Sequence, residues 1–242
     1  MSLIRINKYL SVCGITSRRG ADNLIAEGRV TVNDQTLTER GAVVDTDTDT
    51  VKVDGVEATP VEQMVYVVLN KPAMTMTTLY DPFKRRTVVD YLKNLPQRVY
   101  PVGRLDYDAE GVLLLTNDGD LAFRLAHPRY QVPKIYEAQV EGRFLKESAD
   151  KIKRGIKLED GATGRAKVLI LGYTAEQTRI RLILTEGRKR EVKQLCRSVG
   201  HPVKRLRRVE FAGIQLKTLK IGQFRHLSRD EVNRLRQLVG LM

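Results

Sequence analysis

The sequence predicts an α+β chain in two parts: a small αα-then-β unit, then a larger unit built on a mixed, largely antiparallel sheet. Three observations predict it. Two short helical patterns precede the first strands. The composition turns loop-like at residues 60–63, where the charge balance also changes sign. Beyond that point, short apolar runs bounded by turn residues outnumber helical patterns.

Ile4, Ile6, Tyr9, Leu10 and Cys13 recur at helical spacing and predict a short amphipathic helix. Ser17 offers the N-cap of a second helix, which Gly28 would end. Residues 29–34 and 50–55 alternate as strands do, closing on the turn pairs Asn33-Asp34 and Asp54-Gly55. The boundary is expected near residue 63, giving domains 1–62 and 63–242. Residues 65–69 open the second domain as a strand. The basic loop 81–87 leads into a short helix at 88–92. Strands follow at 99–102, 111–116, 135–140, 168–171 and 179–184, then a helix over 188–198 and a basic strand. Ser228-Arg229-Asp230-Glu231 is a capping box that starts a final helix reaching about Val239.

Lys and Arg number 42 against 29 Asp and Glu, a formal charge of +13, and the excess is local. Residues 1–66 carry −3 and the remainder +16. Residues 187–208 alone hold nine basic side chains and one acid, Glu191. Such clustering points to a polyanion, because each Lys or Arg that meets a phosphate releases a condensed counterion. A hydrophobic share of 42% is enough for a packed core, which excludes a mainly disordered chain. Cys13 and Cys196 stand far apart, and the histidines are only His127, His201 and His226, so neither a disulfide framework nor a zinc site is expected. The apolar run at 65–69 falls far short of the roughly 18 to 20 residues a membrane span needs, and no signal-peptide pattern opens the chain. A cytoplasmic protein is expected.

Between the strands at 99–102 and 111–116 lies Gly103-Arg104-Leu105-Asp106-Tyr107-Asp108-Ala109-Glu110. A loop with three carboxylates between two apolar strands suits catalysis, since a rigid sheet aims its groups while the loop leaves them reachable. The same acids could hold a metal, or simply form the turn. The residues alone leave these alternatives open.

Two resemblances narrow them. Arg5-Ile6-Asn7-Lys8-Tyr9-Leu10, Thr16-Ser17-Arg18-Arg19-Gly20-Ala21-Asp22 and Gly28-Arg29-Val30-Thr31-Val32-Asn33-Asp34 resemble the small RNA-binding domain known from ribosomal protein S-four. That likeness implies that Lys8, Ser17, Arg18 and Arg19 lie on the helix face that meets RNA. The segment is slightly acidic, so it is expected to position RNA rather than to grip it strongly.

The stretch from Gly103-Arg104-Leu105-Asp106 through Gly111-Val112-Leu113-Leu114-Leu115-Thr116-Asn117-Asp118-Gly119 resembles the signature of the RNA pseudouridine synthases, in the branch named for the small-subunit rRNA enzyme. Leu69-Asn70-Lys71-Pro72, Lys134-Ile135-Tyr136, Glu186-Gly187-Arg188-Lys189-Arg190-Glu191-Val192-Lys193 and Gly200-His201-Pro202-Val203 extend the likeness along most of the chain. The resemblance implies an isomerase that cuts the bond between ribose and uracil, turns the base and rejoins it through carbon, with no cofactor and no metal. Asp106 is then the essential carboxylate, forming an adduct with the sugar or the base or removing a ribose proton. Lys193 would pair with Asp106 and keep it ionised, and Tyr136 would lie against the uracil ring. Arg104 would fill the space left by the flipped base, and Arg188, Arg190 and Arg197 would grip RNA beside the pocket. Without the resemblance, Tyr136 reads as a strand aromatic packed into the sheet, Arg104 as a brace on loop carbonyls and Lys193 as one more phosphate-facing lysine.

The expected partner is ribosomal RNA, from the large subunit or a precursor particle, met by a monomer. Small-subunit rRNA, another large-subunit site, or an RNA-binding assembly factor without catalysis are the alternatives.

Overall fold

The computed structural model describes residues 2–61 and 63–241, and the chain divides into two compact units, Met1–Met64 and Val65–Met242.

In the first unit, β1 (Leu3–Arg5) leads directly into α1 (Ile6–Val12), followed by α2 (Arg18–Ala26). The strands β2 (Val30–Val32), β3 (Gln35–Leu37), β4 (Val43–Asp45), β5 (Val51–Val53) and β6 (Val56–Glu57) complete it. Ile4 therefore belongs to a strand rather than to the first helix, because residues 3–5 pair antiparallel with residues 43–45. Ser17 caps α2 by accepting the Gly20 N–H at 3.0 Å, and Gly28, at φ +69°, turns the chain out of it. Ile6, Tyr9, Leu10, Ala21, Ile25, Val30, Val44 and Val51 form a core of this unit's own.

The second unit runs β7 (Tyr66–Lys71), β8 (Tyr100–Pro101), β9 (Glu110–Thr116), α3 (Gly119–Ala126), β10 (Lys134–Glu141), α4 (Lys146–Arg154), β11 (Ile156–Lys157), β12 (Thr163–Gly164), β13 (Lys167–Tyr173), β14 (Gln177–Leu184), α5 (Glu191–Ser198), β15 (Val203–Phe211), β16 (Ile214–Gln215), β17 (Phe224–His226) and α6 (Arg229–Leu238). Its main sheet has the order β13-β14-β10-β15-β9-β7-β17, with β8 on β9 and β16 on β15. Every pairing in it is antiparallel except β9 with β15.

The central strands are buried on both faces, which explains the unbroken apolar runs of β7 and β9. Val67, Leu69, Leu113 and Leu115 face a core completed by α4 and α5 through Ile152, Val192, Leu195 and Cys196. Val68, Val112 and Leu114 face the opposite core, closed by α3 and α6 through Leu121, Leu125, Leu235 and Val239. The capping box at Ser228 and Glu231 forms as its residues predict. Two helices, α3 and α4, were not evident from sequence pattern.

The parallel junction positions the site. Arg207 and Arg208 lie in register with Glu110 and Gly111, so β9 emerges from the 103–110 loop straight onto β15. Gly111 has φ +110°, and a Cβ there would stand 2.2 Å from the Arg208 carbonyl oxygen. Only glycine permits so close an approach. A bulge in β15 opposite Ile135 and Tyr136 sets the strand's twist beside the same point.

Candidate active site

Leu105 and Ala109 are buried and pin the two ends of the acidic loop, leaving Asp106 partly exposed between them. The loop backbone is tied down from behind. Thr77 Oγ1 donates to the Leu105 carbonyl at 2.7 Å, and the Thr75 N–H donates to the Tyr107 carbonyl at 3.2 Å. Lys71, fully buried, donates from Nζ to the carbonyls of Ala109 at 2.8 Å, Pro72 at 3.0 Å and Asp106 at 3.1 Å. Burial pulls its ammonium down to about 8, against the partial compensation of Asp108 and Asp106. Such a site fixes the loop's backbone before any substrate arrives.

Lys193, on α5, sits between two carboxylates. Its Nζ is 3.8 Å from Asp106 Oδ2 but 2.6 Å from Asp108 Oδ2. The expected Lys193–Asp106 pair is therefore shared, and its close partner is Asp108. Burial raises the Asp108 carboxyl, but the Lys193 hydrogen bond and charge outweigh it and hold that carboxyl below the ordinary range. Glu110 takes no part, because its carboxylate accepts from Arg205 Nε at 2.9 Å, in a hollow shared with Glu137, Arg179 and Arg207. Among the described residues, no group of three His, Cys, Asp or Glu side chains that could hold a metal is assembled.

One pocket gathers Asp106, Arg104 and Tyr136 with Arg188 and Arg190, over a floor that includes Val192, Leu206 and Phe211. Arg188 and Arg190 lie in the turn before α5, not on the helix: Arg190 adopts φ +52° as its N-cap. The helix starts there because Glu191 folds back to accept the Arg188 N–H at 3.0 Å. Arg188 is already paired with Glu186 at 2.7 Å and Asp160 at 3.2 Å. Arg197 is exposed on α5 and does not line the pocket. In the first unit, Arg18 Nε reaches Asn7 Oδ1 at 3.4 Å, while Arg19 is exposed beside it at the start of α2 and Lys8 lies half-buried on α1. Strand alternation separates Arg205 and Arg207 from Arg208, so the basic strand does not present one continuous face to the pocket.

Pattern reading missed three cations. Lys71 was read as a motif residue without a role, and Lys134 and Arg208 as members of basic or strand segments. Lys134 is buried, donates to the carbonyls of Val132 at 2.9 Å and Thr185 at 3.3 Å, and is brought down to about 8 by burial and then by the Arg208 charge. Arg208 is 2% exposed. The one signal in the sequence is its two-residue offset from Leu206, which puts both on one strand face.

Comparison with known proteins decides what this arrangement is. The RNA pseudouridylate synthase family matches residues 65–198, the segment that carries the acidic loop, Tyr136 and Lys193. The chain belongs to this family. This synthase is 43% identical over 242 residues to an uncharacterized RNA pseudouridine synthase of Aquifex aeolicus, covering 100% of this chain and 97% of the relative. It is also 43% identical over 236 residues to ribosomal large subunit pseudouridine synthase B of Bacillus subtilis, covering 97% and 96% of the two chains. A protein of the same name from Vibrio cholerae is 38% identical, covering 98% of this chain and 75% of the relative. A solved pseudouridylate synthase superposes with a TM-score of 0.70 at 23% identity, over 96% of this synthase and 99% of that chain, and so shares its fold. The synthase is an isomerase acting on RNA. No helix among its described residues is long and apolar enough to cross a membrane.

Proposed function

We propose that this enzyme converts one uridine of ribosomal RNA to pseudouridine, that its substrate is large-subunit rRNA or a precursor particle, and that Asp106 starts the reaction. The observation that carries the reading is the convergence of Asp106 and Tyr136 on one pocket, with the Asp106 loop held rigid by Lys71 from behind. The names of the Bacillus and Vibrio relatives support the large subunit as the source of the RNA.

A uridine inside a stacked helix cannot reach Asp106, so the base leaves its stack and enters the pocket. Tyr136 offers a ring face to it, and Arg104, exposed at the pocket rim, fills or braces the vacated space. Asp106 then attacks the sugar or the base, or takes a ribose proton. A carboxylate suits each route, being anionic at neutral pH and able both to bond and to leave. Lys193 supplies the neighbouring positive charge. Arg188 and Arg190, which line the pocket, and Arg197, exposed on α5, meet the phosphates of the RNA. The first unit acts as an S-four-type positioning domain through Lys8, Ser17, Arg18 and Arg19.

The test is to incubate the protein with unmodified large-subunit rRNA and to map pseudouridine by chemical labelling and primer extension, with Asp106→Ala alongside. A single new stop, lost in the variant, is the expected result. A stop only on small-subunit rRNA overturns the substrate, and full activity in the variant overturns the role of Asp106.

A further inference from the structure

The pocket contains a cation for which the described residues supply no anion. Arg208 is 2% exposed, and no carboxylate pairs with it among the described residues. Its Nε is committed to the Val112 carbonyl at 2.8 Å, and Nη1 stands at 3.5 Å from the Tyr136 hydroxyl. Nη2 is buried and has no hydrogen-bond partner. The guanidinium is held in place by the Phe211 ring, 4.7 Å from its centroid, and by the Tyr136 ring at 6.0 Å. The pocket's acids are used elsewhere: Glu186 by Arg188, Glu191 by the Arg188 N–H, and Asp106 beside Lys193. A buried donor without a partner, on a residue that lines the pocket, is costly in the free protein, which points to a partner that arrives with the substrate.

The chemistry names that partner, given the isomerisation proposed above. If the sugar is attacked at C1′, or loses a proton from C2′, the C1′–N1 bond breaks with its electron pair passing into the uracil ring. If the base is attacked at C6, the pair of the C5–C6 double bond moves the same way. Each route leaves negative charge on the carbonyl oxygens of the base. That charge is withdrawn when C5 bonds to C1′, with the Asp106 carboxylate expelled from C1′ or C6 or its proton returned to C2′; the C5 proton then departs and N1 takes up a proton, so that product and substrate have the same atoms. We propose that Arg208 is a catalytic residue whose unpartnered Nη2 donates to a carbonyl oxygen of the flipped uracil and stabilises the charge that builds there. Lys134, buried in the same wall, adds to the positive potential. A preorganised donor in a water-poor pocket acts on the transition state more than on binding.

The experiment uses the full chain and a fragment of the rRNA around the uridine that the wild type modifies, made with uridine, 2-thiouridine or 4-thiouridine at that position. Single-turnover rates and RNA dissociation constants are measured for wild type, Arg208→Gln and Arg208→Lys, with thermal melting to verify folding. Arg208→Gln is expected to slow the uridine reaction by about 100-fold or more, with RNA affinity held within about threefold. Arg208→Lys, which keeps the charge without the fork, is expected between the two and carries the comparison should the glutamine variant not fold. On the thio-RNA whose oxygen Arg208 meets, the penalty should shrink about tenfold, because sulfur is a poor acceptor. A rate within threefold of wild type, affinity falling in step with rate, or one penalty on all three RNAs would each overturn the assignment. Failure of the wild type on uridine RNA would instead overturn the functional reading and take this inference with it.

Discussion

The Lys193 ammonium is closer to Asp108, at 2.6 Å, than to Asp106, at 3.8 Å, so one cation serves two carboxylates of the same loop. Removing the nearer one frees Lys193 for the other. Asp108→Asn is therefore expected to keep the single-turnover rate within about threefold, while Lys193→Met, which strips the charge from both, lowers it about 100-fold. Lys193→Arg should recover most of that loss. An Asp108→Asn variant as damaged as Lys193→Met would place the essential carboxylate at Asp108.

Lys71 ties stability to pH. An unfolded lysine keeps its proton up to about 10.5, whereas the buried one keeps it only to about 8. Between those values the unfolded chain binds more protons, so this residue stabilises the fold as pH rises and imposes its full desolvation cost below 8. Urea unfolding of wild type and Lys71→Met at pH 8 and pH 10 should show the difference moving toward the wild type by about 2 kcal/mol. The variant also removes the ammonium donor from the carbonyls of Pro72, Asp106 and Ala109, so its isomerisation rate should fall while RNA affinity holds.

Gly111 permits the parallel junction, and a methyl group there would meet the Arg208 carbonyl oxygen at 2.2 Å. Gly111→Ala is expected to cost at least about 3 kcal/mol and to abolish isomerisation, since it separates the strand carrying Arg208 from the strand that follows Asp106. Gly172→Ala, in the same sheet with open space around it, should melt within a few degrees of wild type. Equal melting temperatures for all three proteins would refute the argument.

The exposed arginines near the pocket should differ in their hold on phosphate. Arg188 is engaged by Glu186 and Asp160, while Arg190 and Arg197 are exposed. Titrations against rRNA at several salt concentrations should give a log–log slope that falls by about 0.7 to 0.9 for Arg190→Gln or Arg197→Gln and by less for Arg188→Gln. Identical slopes would remove these residues from the RNA interface. The same titration of Arg18→Gln and Arg19→Gln tests the first unit.

The acidic loop, the flanking strands and the last helix were legible because their signals are local: alternation, a glycine break and a capping box. What was hidden depends on distant pairing. The strand at residues 3–5 exists only through residues 43–45, so Ile4 reads as part of the helix that follows it. Helix α4 starts without a side-chain cap and carries mostly charged residues, which gives little pattern to read. Arg208 stands among eight other basic residues and looks solvated until β9 covers it. Lys71 looks like a surface lysine until the loop carbonyls fold over it.

The bond from Arg208 to the Val112 carbonyl joins positions 96 residues apart. Asp106 and its strand leave the ribosome long before β15, so during synthesis the pocket lacks one wall and β9 lacks its parallel neighbour. A proteolytic fragment cut between α5 and β15 would share that condition: it would carry the carboxylate and much of the basic surface, yet have an open strand edge in place of a closed pocket. A half-made or clipped copy therefore has Asp106 without the wall that Arg208 supplies.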